Sequence, residues 1–368
     1  MVLTIDVHNA ARGGASEYVT RLAEVLGQRG YEMVIACHRS EAPEGRDFRV
    51  IGPERPLASF SPYAQARHLQ QRVDREGADL VHDTGGCLLR SDVFHPLMGS
   101  RWHNEMRQLR AFPWRRALRH MRHTQIWNLA RLQWSQCRHH RALVACSQRV
   151  AADFARLGVT TRAVVANGIE LPARPVPERI RELRAELGVG QRLLLLATSN
   201  NHYLKGVMRL LEALHLAGPV RRRGWLLVVA GHNQDPEFGH FVHRHGLEEG
   251  VRLLDWVSDI DSYYHAADVF VHPTYHDAGS LSTLKALACG KAVITTRWDG
   301  SSERIESGRS GLVLQDNSAT AILEALLRVS QAEVRLALGQ QAALLGESLS
   351  YRPSFERLEQ LYGELLGR

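Results

Sequence analysis

Short apolar runs alternate with longer amphipathic stretches along the chain, a pattern that predicts repeated βα units and parallel sheets. In the first half the predicted strands are VLTIDV (2–7), MVIAC (33–37), ADLVHD (78–83), ALVACS (142–147) and AVVANGI (163–169). A second series follows: LLLLATS (193–199), WLLVVAG (225–231), VRLLDWV (251–257), DVFVHPT (268–274), AVITT (292–296) and GLVL (311–314). Between the two series lies ELPARPVPERI (170–180), whose three prolines oppose a helix and stiffen the chain, so it reads as a linker. The tail YRPSFERLEQLYGELLGR places Phe355, Leu358, Leu361 and Leu365 at helical spacing.

These patterns predict an α/β protein of two doubly wound, Rossmann-like domains facing each other across a cleft. The boundaries are 1–170, a linker at 171–180, a second domain at 181–346, and a terminal helix at 347–368 that returns to the first domain. Ligands in such sheets bind beyond the carboxyl ends of the strands. The fold names no function, so the loops at those ends must.

The chain's 368 residues suffice for two cores. No apolar run reaches the roughly 18 residues of a membrane span. The opening MVLTIDVHNAARGG has no basic segment followed by a long apolar one, so no secretory leader is expected. Five dispersed cysteines without a C-x-x-C pair fit a reducing cytoplasm better than a disulfide framework or a zinc site. Net charge is +7 and unevenly spread. Between Arg101 and Arg149 one acidic residue, Glu105, stands among many arginines, interleaved with Trp102, Trp114, Trp127 and Trp134. That mixture suits an anionic membrane surface; a solvated Arg-rich helical face explains it as well. No nucleic-acid motif accompanies it, and no nucleic-acid partner is expected.

Four loops carry candidate chemistry. Gly13-Gly14 follows the first strand and leads into a helix, where backbone can approach a ligand and free N–H groups face an anion; a tight βα turn is the simpler reading. Lys205-Gly206 opens a helix after strand 193–199, where a lysine can neutralise a phosphate. Only three lysines occur, Lys205, Lys285 and Lys291, all in the second half. Ser280, Leu281 and Ser282 begin a helix with hydroxyl caps, a diphosphate seat. The fourth loop is Asp299-Gly300-Ser301 after strand 292–296.

Taken together, GG at 13–14, KG at 205–206, AADVFVHPTYHDAGSLSTLKALACGKAVITT at 266–296 and DGSSERIESGRSGLVL at 299–314 resemble the retaining glycosyltransferases of GT-B architecture, sequence family four. The nearer look is to the subgroup that adds glucose to the heptose of the lipopolysaccharide inner core. The resemblance covers essentially the whole chain and is strongest through 266–314. It implies transfer of a sugar from a nucleotide-sugar, expected as a UDP-sugar, to a glycan or glycolipid acceptor. Anomeric configuration is retained, and neither metal nor cofactor takes part. The second domain would hold the donor and the first the acceptor. Residue by residue, Gly14 would approach the diphosphate, and Lys205-Gly206 with the amides of Leu281 and Ser282 would bind it as leaving group. Asp277 would orient the donor sugar. A cytoplasmic protein is expected, peripheral on the inner face of the membrane.

Three positions depart from the family pattern. Lys285 stands where a glutamate usually receives the ribose diol; an ammonium only donates. Tyr203 replaces an arginine two residues before Lys205, leaving Arg297 or Lys285 as the second phosphate cation. Leu97 and Met98 occupy the place of an acceptor-side histidine, with His95 and His103 nearby as candidates beside Gly13. Two accounts follow: an active transferase with an altered donor pose or donor, or a catalytically degenerate module that serves a partner or scaffold at the membrane surface.

Overall fold

The computed structural model describes residues 1–8, 14–40, 47–52, 61–121, 125–173, 176–232 and 235–367. It divides into two compact units. One comprises 1–109, 113–168 and 351–368; the other comprises 110–112 and 169–350.

The first unit is built on a parallel sheet of seven strands: β1 (Val2–His8), β2 (Val34–Ser40), β3 (Arg49–Ile51), β4 (Val81–Asp83), β5 (Ser91–Phe94), β6 (His140–Ala145) and β7 (Ala163–Val164). Their order is β3-β2-β1-β4-β5-β6-β7. The register pairs Ile5 with Cys37 and Thr4 with both Ala36 and Asp83. Helix α1 (Gly14–Gln28) buries Tyr18, Val19, Leu22 and Leu26 against one face, as its 3.6-residue stripe demands. On the opposite face Val2, Val34 and Ala36 pack with Leu69 and Val73 of α2 (Pro62–Arg75). The terminal helix Tyr351–Leu366 adds Phe355, Leu358, Leu361 and Tyr362 to the α1-side core. Three further helices, α3 (Arg101–Ala111), α4 (Trp114–Met121) and α5 (Gln125–Gln136), run between β5 and β6.

The second unit repeats the plan with six parallel strands: β8 (Leu193–Thr198), β9 (Trp225–Ala230), β10 (Val251–Leu254), β11 (Val269–His272), β12 (Ala292–Thr296) and β13 (Leu312–Leu314), ordered β10-β9-β8-β11-β12-β13. Core lies on both faces, which is why these strands read as unbroken apolar runs. The Pro-rich stretch differs from the sequence expectation in one respect. A helix begins inside it, at Pro177, because proline at the first helical position lacks only an N–H that has no helical partner anyway.

In each sheet the strand order reverses beside the first strand of the series, at β1/β4 and at β8/β11. Such a switch point opens a crevice beyond the carboxyl ends of its two strands. In the second unit the loops leaving β8 and β11 carry Lys205 and Asp277.

Candidate functional site

The chain leaves β8 through a turn closed by Lys205 N–H to the Asn201 carbonyl at 2.9 Å and Leu204 N–H to Asn201 Oδ1 at 3.2 Å. Gly206 then starts the helix Val207–Leu216 with φ +74°. A Cβ there would lie 2.0 Å from the Pro273 carbonyl oxygen, so only glycine permits the loop after β8 to press on the loop after β11. Two more bonds join these loops: Tyr275 N–H and the Thr274 hydroxyl both donate to the Leu204 carbonyl, at 2.9 and 3.0 Å.

This clamp brings Lys205 to Asp277. The ammonium Nζ lies 2.5 Å from Asp277 Oδ2, and the same oxygen is 3.2 Å from His272 Nε2 at the end of β11. Burial raises the Asp277 carboxyl, but Lys205 and His272 more than offset it and hold it well below the usual carboxylate range. Asp277 is therefore ionised at any pH where the protein works. Its backbone is fixed to the next loop by Asp277 N–H to the Trp298 carbonyl, 3.0 Å, and Gly300 N–H to the Asp277 carbonyl, 2.9 Å.

Beside this triad the helix Leu281–Ala288 begins. Ser280 caps it, its hydroxyl accepting from Thr283 N–H. The fully buried Asp299 holds the cap in place. Its carboxylate accepts from Ser280 and Ser301 N–H at 3.3 and 2.9 Å, and from the Thr283 and Thr295 hydroxyls at 2.7 and 3.0 Å. Burial pushes the Asp299 carboxyl up despite those donors. The result is an ammonium and a helix N-terminus held rigidly around one carboxylate, an arrangement that can receive an anion and orient a hydroxylated group next to it.

The candidate residues do not all join this centre. Lys205, Gly206, Asp277, Ser280, Leu281 and Ser282 belong to it. Lys285 sits on the far turn of the helix, Nζ 3.8 Å from Asp261 Oδ1. Tyr203 is 5% exposed, its ring packed on Phe238 at 4.9 Å and its hydroxyl donating to Glu237. It is a core residue. Arg297 is exposed, with its guanidinium over the Trp298 ring at 5.3 Å. His272 was not singled out in the sequence, and Asp299 was marked only as the start of the fourth candidate loop, with no role given. Both stand at or just past strand ends, the position where such residues are found.

In the first unit Gly14 is the first residue of α1, and Gly13 lies outside the described residues. A cavity of about 560 Å³ opens at the carboxyl ends of its strands, lined by apolar Ile5, Phe94 and Leu97 and by polar Asp6, Arg101 and Gln133. His103 is in the first turn of α3, its Nδ1 2.8 Å from the Ser100 hydroxyl. His95 does not line the cavity. It is buried in the core, stacked on His82 with ring centroids 5.4 Å apart. Leu97 is buried in the cavity wall and Met98 is exposed there.

Two twisted parallel-sheet units, the second with a cation and a helix N-terminus at its switch point, define the GT-B class of nucleotide-sugar enzymes. The sequence comparisons agree. The profile "Glycosyltransferase Family 4" matches residues 12–172 and "Glycosyl transferases group 1" matches 191–332. The chain belongs to the GT-B glycosyltransferases. It is 29% identical over 154 residues to the lipopolysaccharide glucosyltransferase WaaG of Escherichia coli K12; the match spans 41% of each chain. A D-inositol 3-phosphate glycosyltransferase of Corynebacterium glutamicum is 24% identical over 96% of this chain and 92% of its own length. Among solved structures, WaaG superposes with a TM-score of 0.82 at 20% identity, covering both chains fully. HepE of Anabaena, solved in complex with UDP-glucose, gives 0.74 at 18% identity over 99% of each chain. The family's two-domain α/β architecture is thus the one observed here.

Proposed function

We propose that this chain transfers a sugar from a nucleotide-sugar, a UDP-sugar, to a cell-envelope glycan of the lipopolysaccharide-core kind, with retention at the anomeric carbon. The observation that carries the reading is Lys205 Nζ at 2.5 Å from Asp277, at the mouth of the Ser280-capped helix. A donor diphosphate entering there takes over Lys205 and the free amides of Leu281 and Ser282, while Asp277 turns to hydroxyls of the sugar. As the bond from the anomeric carbon to the diphosphate oxygen breaks, charge builds on the leaving group, and the lysine and amides absorb it. The acceptor hydroxyl adds on the same face, and its proton passes to the departing phosphate. WaaG's name and HepE's UDP-glucose complex support the donor and acceptor classes. The test is calorimetric titration with UDP, GDP and ADP, followed by assay of UDP-sugar turnover on core-glycan acceptors. Binding of UDP on the order of micromolar, with sugar transfer, supports the proposal; no binding of any nucleotide refutes it.

The exposed face of α4 and α5 supports a peripheral position at an anionic bilayer. Trp114, Trp127 and Trp134 are 67%, 71% and 57% exposed, with Leu118 and Met121 also exposed. Arg115 and Arg138 lie over the Trp114 and Trp134 rings at 5.2 and 4.0 Å. Two other arginines of the segment are structural. Arg107 grips buried Asp153 with both arms, at 2.7 and 2.8 Å, and Arg101 donates to the Gly85 and Gly86 carbonyls. No helix among the described residues is long and apolar enough to cross a membrane. Salt-sensitive sedimentation with phosphatidylglycerol vesicles, lost in a Trp114→Ala/Trp127→Ala variant, is the expected result; unchanged sedimentation of that variant would refute it.

A further inference from the structure

The first unit gathers three metal-ligating side chains that the proposed transfer reaction does not use. Asp6 lies near the C-terminal end of β1 and His38 on neighbouring β2; since Ile5 pairs with Cys37 and Val7 with Arg39, residues 6 and 38 are cross-strand neighbours on one face of the sheet. Cys87 comes from the loop after β4. Its Sγ, a carboxylate oxygen of Asp6 and a ring nitrogen of His38 all lie within 4.8 Å of one another. In a tetrahedral zinc site such atoms are separated by about 3.3–3.8 Å, so closure requires each to move by about 1 Å or less.

The loop that presents Cys87 is built for a fixed position. Asp83 accepts from the N–H groups of Cys87 and Leu88 at 2.9 and 3.1 Å. Arg101 donates to the carbonyls of Gly85 and Gly86, each at 2.9 Å. Gly85 lacks the Cβ that would come within 2.5 Å of the Cys87 sulfur. Cys87 is 2% exposed, whereas Asp6 is open to solvent, so the cluster is closed on the sulfur side and reachable on the carboxylate side.

We propose that Asp6, His38 and Cys87 bind one divalent transition-metal ion of the zinc class, with solvent as fourth ligand. One thiolate, one imidazole and one carboxylate suit zinc, and binding releases the thiol proton to solvent. Arg101 is the adjacent cation that opposes binding, and Asp83 the adjacent anion that favours it. The ion ties the ends of β1 and β2 to the loop that contributes Thr84, Gly85 and Gly86 to the cavity wall, and so stiffens that wall. The spacing of 6, 38 and 87 resembles no metal motif, which is why the sequence pointed away from a zinc site.

The test is titration of the reduced, full-length chain with Co²⁺, followed in the visible and near ultraviolet, with Zn²⁺ as competitor. One equivalent should produce tetrahedral d–d bands and a thiolate charge-transfer band, both removed by Zn²⁺. Cys87→Ser should lose the charge-transfer band, and His38→Ala and Asp6→Asn should each weaken binding at least about tenfold. Absence of the bands in the native chain overturns the site, as does a charge-transfer band that survives Cys87→Ser. If Cys87→Ser does not fold, Asp6→Asn decides: Asp6 is exposed, and unchanged affinity there overturns the proposal. Because no nucleotide or sugar is present, the outcome is independent of the transferase reading.

Discussion

Acid should unfold the first unit through a buried histidine pair. His82 and His95 are fully buried and stacked, 5.4 Å between centroids, under the terminal helix. His82 Nδ1 meets the Tyr362 hydroxyl at 2.7 Å, while His82 Nε2, both nitrogens of His95 and the Tyr18 hydroxyl have no partner among the described residues. Among the described residues no carboxylate acts on the pair to stabilise a charge. Burial lowers the His95 imidazole to about 3, and burial with its stacked neighbour lowers His82. In the unfolded chain each has an ordinary value near 6.5. The folded value being the lower, the unfolded state binds more protons below pH 6.5, and stability falls as pH drops through that value. At pH 5, about 1.5 units below it, keeping His95 neutral costs about 2 kcal/mol, and His82 adds to the loss in the same direction. The assay is urea unfolding at about pH 7.5 and pH 5, following tryptophan fluorescence, with native chain and His95→Leu compared. Any change the substitution makes at neutral pH cancels in the difference between the two pH values. The variant should lose about 2 kcal/mol less than the native chain over this interval. An equal loss in both would show that His95 is solvated or paired, and would refute the reasoning.

The remaining predictions concern the second unit. Lys205→Ala should lower kcat about 10²–10³-fold with the circular dichroism melt preserved, since it removes the cation at the leaving group; unchanged turnover would sink the assignment. Gly206→Ala should destabilise by about 3 kcal/mol or more, because the new Cβ meets the Pro273 carbonyl in a left-handed conformation; a urea midpoint within error of the native one would contradict the clamp. Lys285→Glu should destabilise the second unit by up to about 1 kcal/mol, because it sets a second carboxylate against Asp261 in place of a cation; an unchanged urea midpoint would show that the pair contributes nothing.

The alternation of apolar runs exposed most of the architecture because these parallel strands are buried on both faces. The strands it concealed, Arg49–Ile51 and Ser91–Phe94, are three and four residues long and partly polar, too short for any period to register. Lys205 and Asp277 were legible because each stands in a loop between an apolar strand and a helix start, where such loops face the crevice at the strand ends, and because the family resemblance marked both positions. Tyr203, two residues before Lys205, turns into the core, and the sequence carries the signal for it. Tyr203, Val207, Leu210 and Leu214 recur at helical spacing, and all four are buried in one core, so this stripe, and not proximity to Lys205, decides where the ring points. His95 was offered because it lies near the position of the family's acceptor-side histidine, whereas its ring is buried against His82.

Lys285 shows why the rest was out of reach. Sequence identifies the residue that has changed, but its counter-charge, Asp261, lies 24 positions upstream on the helix Ile260–Ala266, and only the packed structure brings the two to 3.8 Å. Asp299 makes the same point from the other side: its bonds to the Ser301 amide and the Thr295 hydroxyl are local, but those to the Ser280 amide and the Thr283 hydroxyl come from 19 and 16 positions upstream and are not written in the local sequence. Positions that face the crevice can be found one at a time from strand ends. The polar contacts that fix their geometry reach further, from Lys205 to Asp277 across 72 positions and from Asp299 to the Ser280 cap across 19, and it is those contacts that hold the cation and the helix N-terminus of the candidate site in place.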